Sequence, residues 1–200
     1  MVKRNSTRSS TIDELLSAPG PEPILQPPST RETCLLRCEH LDARLFIAVL
    51  GRRYPADTVV TPGQRARVAA QGLPGVPVLS EATALWVHTG LRPPWLAALD
   101  GTGGLPRYPR GSWGPGSPRR SFRSSDLTTI EGVRCCTLAR TAVDAARLAP
   151  PATAVTAVLA ARRADTPRWE MYLALSHCHG DSSRGTARAR ELIESVWNLG

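Results

Sequence analysis

Eighteen prolines and sixteen glycines constrain what this 200-residue chain can fold into. Proline removes a backbone donor and breaks helix interiors, and glycine weakens helix and strand alike, so long irregular stretches must interrupt the core. The densest is 101–121. It is punctuated by Gly and Pro, holds Arg107, Arg110, Arg119 and Arg120 without one acid, and fits no packed element. Prolines 19, 21, 23, 27 and 28 likewise leave residues 1–28 as a disordered leader with at most one short helix, starting at Thr11-Ile-Asp-Glu14. Elsewhere, 42% hydrophobic and 21% charged residues are ordinary for a globular protein.

Between the breaks, spacing predicts the elements. Ser29-Thr-Arg-Glu32 is a capping box, and Cys34, Cys38, Leu41, Leu45 and Val49 then recur at helical spacing up to Gly51. Thr58-Val-Val60 reads as a short strand. Thr61-Pro-Gly-Gln64 starts a helix that Gly72 ends, with Thr as N-cap and Pro at the first position. Val76-Pro-Val-Leu79 reads as extended, and Ser80 caps a helix ending at Gly90. Trp95 to Leu99 is read as a strand. Ser121–Thr128 and Val133–Thr137 are predicted strands joined around Glu131-Gly132 by a longer connection. Thr137 caps a helix over Leu138–Leu148, followed by helices from about Ala152 to Ala164, from Thr166-Pro167 onward, and from Gly185 to Trp197. The fold class is therefore α+β, mainly helical with a few short strands.

The 25 basic residues outnumber 17 acids, for a net charge of +8, which favours polyanionic partners. All but Lys3 are arginine. A phosphate-loop lysine, a Schiff-base lysine and a nuclease Glu-x-Lys pair inside the core are thereby excluded. Arginine excess is also what a GC-rich genome encodes. An odd count of five cysteines without framework spacing points to a reducing compartment. No apolar export segment follows Met1, and the longest uncharged run, Leu148–Ala161, is too short to span a bilayer. A cytoplasmic, non-membrane location is expected.

Catalytic and metal constellations fare poorly. Cys34, Cys38 and His40 with His177, Cys178 and His179 offer zinc-type ligands, but no Cys-x-x-Cys pair occurs, and the cysteines sit on an apolar stripe. No metal or other cofactor is expected. Ser80 and His88 lie about 12 Å apart along one helix, out of reach for nucleophilic chemistry. Cys135 and Cys136 point to opposite faces of a strand. The better candidate is the acid-free stretch carrying Arg107, Arg110, Arg119, Arg120 and Arg123, interleaved with Tyr108, Trp113 and Phe122. Guanidinium forks suit phosphates, and aromatic rings suit bases.

Two segments carry a resemblance. Gly75-Val-Pro-Val-Leu-Ser-Glu-Ala-Thr-Ala-Leu-Trp-Val-His-Thr-Gly90 is similar to an extended run and following helix of AbiEi-type antitoxins and related transcriptional regulators, with Thr89 inserted before the glycine. Asp126 to Asp144 resembles that family's strand Gly-Val-x-Val-Thr followed by Arg-Thr-x-x-Asp on a helix. Gly132, Val133, Thr137, Arg140, Thr141 and Asp144 occupy those places. Arg188-Ala-Arg-Glu-Leu-Ile-Glu-Ser195 resembles the helix closing its shared core. The similarity covers residues 50 to 197 with gaps.

The resemblance implies a degenerate winged-helix-like N-terminal part at 29–90 and an antitoxin-type part at 91–200. Gly51-Arg-Arg-Tyr54 stands where the wing has Arg-Gly-x-Tyr, which adds Arg52 and Arg53 to the nucleic-acid candidates. It also implies a non-enzymatic, DNA-binding autoregulator that opposes a nucleotidyltransferase-like toxin. The Gly132, Thr137, Arg140, Thr141 and Asp144 pattern is read as structural. Two alternatives stand beside it: a toxin-binding interaction module or degenerate paralogue without DNA binding, and a remnant of an endonuclease-like protein whose catalytic domain would begin at Gly200.

Overall fold

The computed structural model describes residues 45–50, 52–73, 75–91, 122–178 and 184–198. They form an α+β structure, mainly helical with a few short strands. Strands β1 (Phe46–Val49) and β2 (Arg52–Pro55) pair antiparallel, Val49 opposite Arg52, so two residues close the hairpin. Leu50 takes φ +50 in that turn. Helices α1 (Pro62–Gly72) and α2 (Glu81–Thr89) follow, then hairpin β3 (Leu127–Ile130)–β4 (Val133–Cys136). Helices α3 (Leu138–Leu148), α4 (Pro151–Arg163), α5 (Arg168–Ser176) and α6 (Thr186–Trp197) complete the order.

Several starts and stops follow the sequence. Thr61 and Gln64 form a reciprocal capping box at α1, with Pro62 at its first position. Thr137 Oγ1 accepts from the Arg140 N–H at 3.2 Å, opening α3. Gly90, at φ +71, ends α2.

Five expectations need correction. Residues 46–49 are strand, because Phe46–Val49 finds a partner in β2; the rest of that predicted helix, with its capping box, lies outside the described residues. Thr58 does not enter a strand. It sits in a 3-10 turn, Ala56–Thr58, and donates to the Pro55 carbonyl at 2.8 Å. The connection between β3 and β4 is short: Glu131 (φ +49) and Gly132 (φ +76) close it as a two-residue turn with two left-handed positions. Ser124–Asp126 before it is a 3-10 turn, so that strand starts only at Leu127. Finally, Ser80 precedes α2 but its hydroxyl makes no cap bond. That atom is buried without a hydrogen-bond partner among the described residues. The predicted strand at 95–99 and the leader lie outside the described residues.

Leu79 adds a parallel bridge to the second hairpin. Its N–H donates to Arg134 O at 2.9 Å and its carbonyl accepts from Cys136 N–H at 2.8 Å. Two groups of buried side chains result. One gathers Val49, Tyr54, Val68, Leu79, Trp86 and Cys135 between the hairpins, α1 and α2. The other gathers Val143, Val158, Met171 and Ile193 among α3–α6, with many alanines. α2 serves both, sending Trp86 into the first and Leu85 into the second. Burying side chains as large as Ile193 or Met171 stabilises by roughly 1.5–3 kcal/mol each, while the alanines let the helices approach. α3 is the innermost helix: every residue from Ala139 to Arg147 is buried.

Two glycines stand at close approaches. A Cβ on Gly63 would stand 2.5 Å from Cγ of Glu131, whose side chain lies across the start of α1. At Gly185, φ is +76, and a Cβ would collide with the Arg147 carbonyl oxygen. Steric conflict and backbone strain act together there. We expect Gly185→Ala to lower unfolding free energy by about 2–4 kcal/mol in urea titrations. A loss below about 0.5 kcal/mol would show that the α3–α6 approach is loose.

Candidate functional site

Because α3 is enclosed, its charged residues must be paired where they stand. Arg140, Asp144 and Arg147 follow one another along it and join a network with Asp126 and His177. Arg140 Nη1 donates to Asp126 Oδ2 at 2.9 Å, and its Nε donates to Asp144 Oδ2 at 2.9 Å. Arg147 Nη1 donates to Asp144 Oδ1 at 2.9 Å and to Cys178 Sγ at 3.2 Å. His177 Nδ1 donates to Asp126 Oδ1 at 2.8 Å. None of the five side chains in these ion pairs, the two aspartates and their partners Arg140, Arg147 and His177, exceeds 5% exposure. Phe122 covers the Arg140 guanidinium, with its ring centroid 5.4 Å away.

Electrostatics follow from this packing. Burial alone would discourage charge on Arg140, but Asp144 and Asp126 overcome it and hold its proton more firmly than usual. Burial raises the Cys178 thiol against the pull of Arg140 and Arg147, so it stays neutral and unreactive. The Asp126–His177 pair has the orientation of a proton-relay dyad. Its side chains are 2% and 5% exposed among the described residues.

A second junction joins α2 to β4. His88 Nε2–H donates to the Cys136 carbonyl at 2.7 Å, and Cys135 Sγ lies 3.9 Å from the same nitrogen. Arg65 reaches from α1 to the end of α2, donating to Val87 O at 2.9 Å, to His88 O at 3.5 Å, and to Val60 O. Burial lowers the His88 value, the Cys136 hydrogen bond opposes this, and Arg65 adds to it. Burial pushes the Cys135 thiol up to about 12 and raises Cys136 as well, with Asp144 contributing. Both cysteines are buried, so neither face of β4 presents a thiol to solvent.

Of the expected nucleic-acid residues, Arg52, Arg53 and Arg123 are among the described residues. Arg52 is exposed on β2, and Arg53 follows it opposite Ala48. The turn of their hairpin does not project: Leu50 is buried, and a Cβ on Gly72 would stand 2.7 Å from its Cδ1. Arg123 is exposed, its N–H donating to Asp126 Oδ2 at 3.3 Å. Arg107, Arg110, Arg119 and Arg120 lie outside the described residues, as do Cys34, Cys38, His40 and His179. Among the described residues no three His, Cys, Asp or Glu side chains are grouped to hold a metal ion, and no helix is long and apolar enough to cross a membrane. Gly132, Thr137, Arg140, Thr141 and Asp144, by contrast, form one continuous unit of turn, cap and helix. Thr141 Oγ1 donates to the Thr137 carbonyl at 2.8 Å.

No family model, curated protein or solved structure matches this chain. Its site must be read from its own residues.

Sequence reasoning did not assign Asp126, Arg147 or Arg65 a role. Arg147 carries a local signal, three residues after Asp144. Asp126 and Arg65 find partners 14 and 22 residues away, for which spacing gives none.

Two predictions follow from this packing. Arg140→Met leaves buried carboxylates short of a cation and should cost about 3–5 kcal/mol in urea unfolding. Arg67→Ala, which breaks a half-exposed pair with Glu131, should cost less than about 1 kcal/mol. Equal costs would refute the assigned burial. For His88, a folded value below 6.5 means that the unfolded chain binds the proton more readily. Its contribution is full above the unfolded value and is lost as pH falls toward the folded one. The urea midpoint should therefore decline from about pH 7 to pH 5.5 more steeply in the unmodified chain than in His88→Gln. Parallel declines would contradict the assignment.

Proposed function

We propose that this chain is a non-enzymatic, cytoplasmic DNA-binding protein resembling AbiEi-type antitoxins, which represses its own promoter and opposes a nucleotidyltransferase-like toxin. The observation that carries the DNA reading is how the arginines divide. Arg65, Arg140 and Arg147 are buried and spent on carbonyls and carboxylates, whereas Arg52 and Arg123 face solvent. Arg52 stands on a hairpin held down by Val49, Leu50 and Tyr54, all buried. Such a platform presents a guanidinium to phosphate at little entropic cost.

In this reading the β1–β2 hairpin is the wing of a degenerate winged-helix-like part, seated on α1 rather than projecting. Arg53, Arg107, Arg110, Arg119 and Arg120 are proposed as further phosphate contacts from the sequence alone. The unit from Gly132 to Asp144 belongs to the antitoxin-type part and has a structural role. A second reading, a protein-interaction module without DNA binding, is favoured by Trp169 and Leu173. These lie one turn apart on α5 and are 64% and 42% exposed.

Fluorescence-anisotropy titration against the chain's own upstream duplex and a scrambled duplex, at two salt concentrations, separates these readings. A sequence-reading regulator binds the upstream duplex more tightly, and Arg52→Ala or Arg119→Ala with Arg120→Ala weakens both duplexes and lowers the salt slope by about one per lost phosphate contact. Equal affinity for the two duplexes overturns the regulator reading. Absence of binding at low salt overturns DNA binding altogether and leaves the interaction module.

A further inference from the structure

Helix α4 carries no charged side chain from Pro151 through Ala161. Its inner residues Ala154, Ala157, Val158 and Ala161 are buried. Its outer residues Ala152, Val155 and Thr156 face solvent, Val155 at 39% exposure. The exposed hydroxyl there turns inward to the backbone, since Thr156 Oγ1 donates to the Ala152 carbonyl at 2.8 Å. Between Ala152 and Thr156 the outer face offers mainly methyl groups, with Thr153 half-buried at its side. A helix on the surface of a monomer ordinarily turns charge toward water, and one that is apolar all round is ordinarily covered.

What covers it is indicated by charge. Alongside α4 runs a groove of about 230 Å³, lined by Pro151, Val155 and Leu192 and flanked by Arg188, Glu191 and Ser195. Two copies of a chain with net charge +8 repel one another over most of their surface. The α4–α6 groove has an uncharged centre, with one residue of each sign, Arg188 and Glu191, at its edge. A two-fold axis sets a patch against itself, so complementarity must be internal to the patch. Here it is, because Arg188, whose Nη2 donates to Ala149 O at 3.1 Å, keeps its other guanidinium donors for the partner's Glu191, while Val155 and Leu192 fill the centre. This is the layout of an apolar interface core within a polar rim.

We propose that the α4–α6 face is the docking surface for a second copy of this chain, paired about a two-fold axis. The inference does not depend on DNA binding, although a two-fold dimer would match an inverted-repeat operator.

Sedimentation velocity on the full chain across a concentration series tests it. The unmodified chain sediments as a dimer at micromolar concentration. Val155→Arg sets like charges against each other and yields a monomer. Glu191→Arg weakens the dimer at least about tenfold, and adding Arg188→Glu to it restores the pairing with signs exchanged. All three positions are exposed, and circular dichroism melts confirm that each variant folds. A monomeric unmodified chain overturns the proposal, as it would if another segment or partner occupies this face. A dimer indifferent to Val155→Arg overturns it too, and failure of the double variant to recover refutes the Arg188–Glu191 register.

Discussion

Arg140 makes it possible for a charged helix to lie at the centre of this protein. α3 is covered by α2, α4, α5 and α6, yet it carries three ionised residues. An isolated charge in that position would be prohibitively expensive. One guanidinium forks between Asp144 on its own helix and Asp126 from the turn before β3, and Arg147 and His177 complete the two aspartates. Apolar residues of similar size often stabilise as much as a buried ion pair. The distinctive contribution of this network is placement: it fixes the root of the second hairpin and the end of α5 against one helix.

A second theme is arginine acting on carbonyls. Helix C-termini leave their last carbonyls without intrahelical donors and carry partial negative charge. Arg65 serves Val87 and His88 at the end of α2, Arg188 serves Ala149 after α3, and Arg162 serves Val196 near the end of α6. Arg147 also donates to Arg184 O at 3.1 Å, just where Gly185 lets α6 approach. A planar fork reaches two acceptors at once, which a lysine ammonium does not match in geometry. Part of the excess of arginine over lysine is thus spent inside the fold, and only the exposed remainder bears on polyanion binding.

Local chemistry made the helical half legible. Thr61 with Pro62 and Thr137 mark helix starts whose cause lies within four residues. Pairing across distance did not show in the same way. Leu45 and Val49 fit a helical stripe, but Phe46–Val49 is claimed by β2, and periodicity over so short a run does not separate the two outcomes. The cap expected at Ser80 does not form either: Glu81, the first residue of α2, stands at φ +54, and the Ser80 hydroxyl is buried. In the buried network, the Arg140–Asp144 spacing was readable, whereas the arrival of Asp126 and His177 depends on the packing of the hairpin and α5 onto α3.

The claim that one network couples the second hairpin to α5 is tested most directly by native-state hydrogen exchange on Asp126→Asn beside the unmodified chain. Asparagine keeps an acceptor but removes the charge that Arg140 and His177 share. Coupling predicts faster exchange at the Ser124–Asp126 turn, at the last turn of α5, and around Arg140 together, with α1 and α4 unchanged. Faster exchange confined to the turn would contradict it, showing that the elements are held by apolar packing alone.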